Sequence, residues 1–252
     1  ASMPWLLRQL TRIIPARLFY GGADVLTDLS GDGIVCHQIH LGGDRNFCYL
    51  LGDAESGEAA AVDPGFVPAE MHRLAGEAGL SITHILVTHG HADHIGGLAE
   101  LVALTGAEVH AGAADEVPGA SAAQNDQTIR LGKSEVRVLA TPGHSPGHTC
   151  YLFGGHLVTG DLLFCGKVGG TGDYFKGSSA RQEYDSLQLL MQLPAETTVL
   201  PGHDYYGGEG AMPHSTIGYE KTHNPFLTAG SFEQFCHLKD NWATYKQEHN
   251  IR

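Results

Sequence analysis

Basic side chains are scarce in this chain: 15 Lys and Arg stand against 28 Asp and Glu, a formal charge of −13 over 252 residues. A phosphate backbone is held by a basic surface, so this balance argues against nucleic acid as a partner. Long apolar runs are missing too, and with them any sequence-level sign of a membrane-crossing helix or of a membrane partner. Cysteine is confined to Cys36, Cys48, Cys150, Cys165 and Cys236. The number is odd and no pair has metal-finger spacing, which leaves reduced, packed thiols of a cytoplasmic protein as the expectation. No internal repeat or low-complexity block stands out, and the 34 glycines are spread through loops.

Histidine, by contrast, is abundant, with 16 residues. Three of them fall with an aspartate inside one short run, His89-Gly90-His91-Ala92-Asp93-His94. The preceding segment Ile82 to Val87 is apolar and rich in β-branched residues, which reads as a buried strand. The cluster therefore sits where a strand ends and a helix begins. His89 and His91, two apart, point to the same side of extended backbone, while Asp93 and His94 open a turn toward a second nearby point. Imidazole with carboxylate suits zinc, iron or manganese better than calcium or magnesium. The run reads as a metal site holding two ions, because desolvating such a cluster without one leaves polar groups short of partners.

Three later segments repeat the logic more weakly. Val136–Ala140 is strand-like and runs into Thr141-Pro142-Gly143-His144-Ser145-Pro146-Gly147-His148, a tight loop that holds His144 at a strand end. His156–Gly160 ends on Asp161, and Thr197–Leu200 leads through Pro201-Gly202 to His203. Helical patterns over Ile95–Leu104 and Ala180–Leu193 alternate with these strands, which implies an α/β layered fold. With 42% hydrophobic residues the chain can bury one sizeable core.

This ordered set resembles the metallo-β-lactamase-fold superfamily over roughly residues 46–203. The family pattern of His-x-His-x-Asp-His, then His, Asp and His, falls on His89, His91, Asp93, His94, His144, Asp161 and His203. The resemblance implies a four-layer αββα sandwich with the metals along one edge and a short C-terminal helical extension. It also implies that one ion takes His89, His91 and His144 and the other Asp93, His94 and His203, with Asp161 bridging. Val62-Asp63-Pro64-Gly65 resembles the early strand-end motif whose aspartate, here Asp63, supports the site from behind. The implied organisation is an N-terminal helical extension over 1–30, a catalytic domain over 31–204, and a loop and helices packed on the core over 205–252.

Within the superfamily, residues 160–166 and 172–187 are similar to glyoxalase II (hydroxyacylglutathione hydrolase). That branch implies hydrolysis of a small-molecule thiolester by hydroxide that two divalent ions, zinc foremost, supply near neutral pH. Asp93 and Asp161 are then the catalytic carboxylates, fixing the metal spacing and relaying a proton. Tyr174, Lys176 and Tyr205 are candidate substrate contacts. One departure concerns the thiol carrier: Asp173 stands where the branch usually has a Lys or Arg before its aromatic pair, and an acid there repels a glutathione carboxylate. Two other activities fit the ligand set. A persulfide dioxygenase would hold a single iron on His89, His144 and Asp161, and its relatives share an ending like Pro201-Gly202-His203-Asp204-Tyr205. A lactonase is favoured by the metals alone. A homo-oligomer is compatible with each of these readings.

Outside the motifs, Met3–Tyr20 is basic, without an acidic residue and with apolar residues at helical spacing, a composition shared by organellar transit peptides and surface-binding helices; the expectation is a short helix packed on the domain or on a neighbouring subunit. The segments 213–218 and 224–227 are expected to form an ordered loop over the metal cleft. Cys165 lies near the proposed site, and Ser145 and Ser178 are read as turn and cap residues rather than nucleophiles.

Overall fold

A computed structural model describes residues 13–15, 25–40, 45–205 and 212–251. Its first sheet takes eight strands in chain order: β1 (Ile13–Pro15), β2 (Val25–Asp28), β3 (Ile34–His40), β4 (Phe47–Asp53), β5 (Glu58–Val62), β6 (Ser81–Val87), β7 (Glu108–Ala111) and β8 (Ser121–Ala122). Strands β1 to β5 pair antiparallel and β5 to β8 parallel. Parallel neighbours need a crossover, and α1 (Pro68–Glu77) and α3 (Leu98–Thr105) supply the two on either side of β6. The second sheet draws on β9 (Thr128–Leu131), β10 (Ser134–Ala140), β11 (Thr149–Phe153), β12 (His156–Gly160), β15 (Thr198–Pro201) and β16 (Ser215–Thr216), in the spatial order β16-β15-β12-β11-β10-β9. A small ribbon, β13 (Leu163–Phe164) with β14 (Lys167–Val168), follows β12.

Side-chain alternation along the strands sorts the core into three apolar layers. On β4, Cys48 and Leu50 face the helices α1 and α3, whereas Phe47, Tyr49 and Leu51 face the second sheet. The layer between the sheets also holds Val136, Val138, Tyr151, Phe153 and Leu200, all buried. The third layer packs α4 (Ala180–Leu190), α5 (Ile217–His223) and α6 (Phe232–Asp240) on the outer face of the second sheet through Leu187, Leu190, Ile217 and Phe235. Trp242, the first residue of α7 (Trp242–Glu248), joins that layer. Helix, sheet, sheet, helix is the αββα sandwich expected from the sequence.

Local differences have physical reasons. The helix expected over Ile95–Leu104 is two pieces, α2 (Ala92–Ile95) and α3. A break falls at Gly96-Gly97, where a Cβ on Gly97 would lie 2.8 Å from the Gly65 carbonyl oxygen and 2.6 Å from the Pro68 ring. Of the two segments expected as a loop over the cleft, 213–218 runs instead into β16 and the start of α5, capped by Thr216 accepting from the Tyr219 N–H, whereas 224–227 is a turn. Within 1–30, the described parts are strands β1 and β2 of the first sheet. The remainder of the expected N-terminal helix lies outside the described residues. No helix among the described residues is long and apolar enough to cross a membrane.

Candidate metal centre

Five strands end at the same edge of the sandwich, and each delivers part of one cluster. Parallel β5 and β6 run out into Asp63 and into Thr88-His89. On the second sheet, β10, β12 and β15 point the same way and run out toward His144, Asp161 and His203. The two sheets are tied here, where Asn46 bridges to His203 and the Phe47 N–H donates to the Gly202 oxygen at 2.9 Å.

The structure brings all seven sequence-selected side chains together. His89, His91 and His144 form one group whose ligand atoms lie within 4.8 Å of one another, and Asp93, His94 and His203 form a second. Asp161 joins them. Its Oδ2 is 3.7 Å from His144 Nε2 and 3.3 Å from His203 Nε2, and its Oδ1 is 3.4 Å from His94 Nε2. Asp93 Oδ2 lies 3.2 Å from His203 Nε2. Except for His91 and Asp93, which are partly exposed, these side chains are buried.

Hydrogen bonds behind the cluster set the imidazole tautomers. Only an N–H can be offered to a carbonyl, so the 2.8 Å contact from His144 Nδ1 to the Gly170 oxygen leaves Nε2 with its lone pair. His94 Nδ1 meets Asp63 Oδ2 at 2.8 Å, which leaves Nε2 as the nitrogen turned toward the cluster. Thr88 donates its hydroxyl to Asp63 Oδ2 at 2.6 Å and so accepts from His89 Nδ1 at 3.0 Å. Asp63 thus lies behind Thr88 and His94, hydrogen-bonded to both.

Two observations test whether a cation fits. His89 Nε2 and Asp161 Oδ1 are buried and have no hydrogen-bond partner among the described residues, although both are aimed into the cluster. Burial alone would raise the Asp161 carboxyl, yet His94 and His203 hold it well below the usual carboxylate range. Burial would lower His203, but Asp161 and Asp93 push it up to about 9. The acids thus draw positive charge into the cluster as protons, at the place where a divalent ion would put it. The donor set fits one or two such ions.

Several residues of the site were not legible in the sequence. Asn46 Nδ2 donates to Asp93 Oδ2 at 3.2 Å. Asp115 clasps both ligand loops, accepting from the Gly90 N–H at 2.9 Å, the Ser145 hydroxyl at 2.6 Å and the Gly147 N–H at 2.6 Å. His148 stacks on His89 with ring centres 5.5 Å apart, and burial pushes it down to about 3. Phe175 packs against His91 and His144, at 5.8 and 4.9 Å. Asn46 stood at the edge of the matched stretch, and His148 and Phe175 lay in segments already singled out, but nothing in the sequence marked any of the four as a partner of the ligand-type residues.

The candidate substrate contacts divide. Tyr205 stacks on His203 with ring centres 4.6 Å apart, and Arg45 and Lys167 lie over its ring at 5.3 and 5.1 Å. Tyr174 is 91% exposed and touches the site through Phe175, and Lys176 is exposed. Cys165 is buried, which pushes its thiol up to about 12, and all five cysteines are free. Ser145 donates to Asp115 and Ser178 lies in a turn with Gly172, so neither stands as a nucleophile.

Comparison with known proteins agrees with this geometry. The metallo-beta-lactamase superfamily matches residues 41–203. The hydroxyacylglutathione hydrolase of Rhodospirillum rubrum is 43% identical over 177 residues, 67% of this chain and 66% of that protein. The mitochondrial persulfide dioxygenase ETHE1 of Homo sapiens is 33% identical over 221 residues, 84% of this chain and 83% of that protein. The crystal structure of ETHE1 from Myxococcus xanthus superposes with a TM-score of 0.74 at 34% identity, covering 82% of this chain and 90% of that one. This chain spans 66% of the length of the Rhodospirillum rubrum protein, 63% and 62% of two further hydroxyacylglutathione hydrolases, and 90% of that of Acidiphilium cryptum.

Proposed function

Because this chain belongs to the metallo-beta-lactamase superfamily, we propose that it is a binuclear metallohydrolase acting on a small-molecule thiolester, of the kind for which the hydroxyacylglutathione hydrolases are named. The observation that carries this reading is the pair of adjoining ligand groups, His89-His91-His144 and Asp93-His94-His203, with the Asp161 carboxylate between them. We assign both groups as ligand sets and zinc as the preferred ion, with iron or manganese as the other metals suited to these donors.

Metals bound there would lower the pKa of a shared water to near neutrality and polarise the substrate carbonyl. The chain's own residues supply the rest. Asp161 and Asp93 fix the spacing of the two groups and accept or relay the proton that leaves the water. Asp63 and the Gly170 carbonyl hold His94 and His144 with Nε2 inward. Phe175 covers His91 and His144 on one side and keeps bulk water from that wall of the site. A thiolate leaves readily, so no strong acid is needed opposite the attacking oxygen. Arg45 and Lys167, both close to the Tyr205 ring, give an anionic thiol carrier a cationic margin, and they replace the Lys or Arg that Asp173 displaces in the sequence motif.

Purified protein should hold close to two zinc-class ions per chain and hydrolyse a hydroxyacylglutathione. Asp161→Ala should abolish turnover while its circular dichroism stays that of the parent. Full activity in that variant would overturn the site assignment.

A second reading rests on a relative of different chemistry. The persulfide dioxygenase of Homo sapiens is matched over 83% of its own length and the ETHE1 structure of Myxococcus xanthus over 90% of its own, coverage comparable to the 90% of the Acidiphilium cryptum hydroxyacylglutathione hydrolase. In that reading His89, His144 and Asp161 hold one iron. One iron per chain, with oxygen uptake on a persulfide and no thiolester cleavage, would select it.

A further inference from the structure

Away from the centre, toward the opening ends of β6 and β7, three more ligand-type side chains converge. His84 on β6 pairs in register with Glu108, the first residue of β7, and His110 lies two residues further along. Their ligand atoms form a triangle: His84 Nδ1 to His110 Nε2 is 3.1 Å, His84 Nδ1 to Glu108 Oε2 3.9 Å, and His110 Nε2 to Glu108 Oε2 3.8 Å. A point equidistant from three atoms so spaced lies about 2.1 Å from each, a zinc–nitrogen or zinc–oxygen bond length.

The backbone is shaped to make this meeting. Pairing of β5 with β6 slips between Ala59 and Ala60, which leaves Thr83 as an extra residue. Ile82, Ile85 and Val87 therefore face the helices, and His84 is turned to the other face with Leu86. An unbulged strand would put His84 on the face of Ile82, and re-aiming a side chain is what such bulges do. His110 is buried, His84 is one-fifth exposed and Glu108 is three-quarters exposed. The triangle is thus walled by the sheet on one side and open to solvent at the carboxylate, leaving room for water as a fourth ligand.

The geometry points to a third metal site, separate from the catalytic cluster, in which His84, His110 and Glu108 take a zinc-class divalent ion and clamp β6 to β7. Two imidazoles and one carboxylate select a borderline transition ion over calcium or magnesium. The triangle shares no residue with the catalytic cluster, although β6 runs on into Thr88 and His89. Its binding does not depend on which reaction the main centre performs.

The test uses the protein with its resident metal, dialysed against micromolar zinc chloride and measured by elemental mass spectrometry. Wild-type protein should hold one more zinc per chain than His84→Gln, with equal turnover in both because His84 touches no part of the catalytic cluster. Glu108→Gln, at an exposed position where folding is not at risk, should weaken the added zinc at least tenfold. Zinc-edge anomalous diffraction should then show a peak among His84, Glu108 and His110. Equal zinc content in wild type, His84→Gln and Glu108→Gln would overturn the proposal, as would a peak elsewhere.

Discussion

Replacing Asp63 by Asn tests the centre from behind without touching a ligand. The residue is buried and its backbone is left-handed, with φ 48°, a conformation that Asn tolerates almost as well as Asp does. Shape and backbone are therefore preserved. What changes is hydrogen bonding: Oδ1 accepts from the Thr88 N–H at 2.8 Å, and Oδ2 accepts from the Thr88 hydroxyl and from His94 Nδ1. An amide has one oxygen for these tasks. If it keeps the Thr88 N–H, its NH₂ confronts His94 Nδ1–H, and His94 must shift its proton to Nε2, the atom that faces Asp161 and His203. If it flips, a buried backbone N–H is left unpaired. An unsatisfied buried donor costs about 1–3 kcal/mol. Loss of such a supporting partner weakens metal binding about 10–100-fold, which is about 1.4–2.8 kcal/mol at 1.4 kcal/mol per decade. The assay is competition between demetallated protein and a chromophoric zinc chelator, with urea unfolding run in parallel. Zinc affinity within twofold of wild type in a folded Asp63→Asn protein would refute the tautomer argument.

Three further outcomes are expected. Gly202→Ala puts a Cβ 2.3 Å from Asp161 Oδ1 and 3.0 Å from His94 Cε1, so metal content should fall together with about 1–3 kcal/mol of stability; full occupancy by elemental analysis would contradict this. Glu183 lies fully buried under the His144 loop beside Lys239, and burial raises it to about 7 from 4.5, so the native state binds the extra proton. Its contribution is complete below about pH 4.5 and is lost as pH rises through about 7, so that part of the pH dependence of the melting temperature should vanish in Glu183→Gln. Dialysis against a chelator should lower the melting temperature and added zinc should restore it, since the ion binds only the folded cluster; an unchanged melting temperature on demetallation would argue that the cluster holds no ion.

How much of this was legible in the sequence depends on how local each feature is. Residues 89–94 announce themselves because four ligand-type groups share one strand end, and β6, β10, β12 and β15 follow from apolar runs within a residue or two of the expected bounds. His144, Asp161 and His203 are each ordinary loop residues alone; only their order, matched to a family pattern, singled them out. Asp115 and Asn46 stayed invisible because their contacts join segments far apart in the chain, and a hydrogen bond across the fold leaves no periodicity. Phe175 rather than Tyr174 packs on the ligands, since a turn at Gly172 sets which ring of the pair points inward. The bulge at Thr83 was equally hidden, because the apolar run reads as an uninterrupted strand.

The bridge between Asn46 and His203 has a bearing on how the protein is made. The group formed by His89, His91 and His144 is complete in the nascent chain well before His203 is synthesised, whereas the group with Asp93 and His94 must wait for it. At about 5–20 residues per second, the stretch between His144 and His203 takes several seconds to emerge. During that interval the three imidazoles of the first group have been made while the second group still lacks His203. Docking of β15 against β12 brings His203 to the second group, so the arrival of one late strand, flanked by β16 in the finished sheet, decides when that group can form.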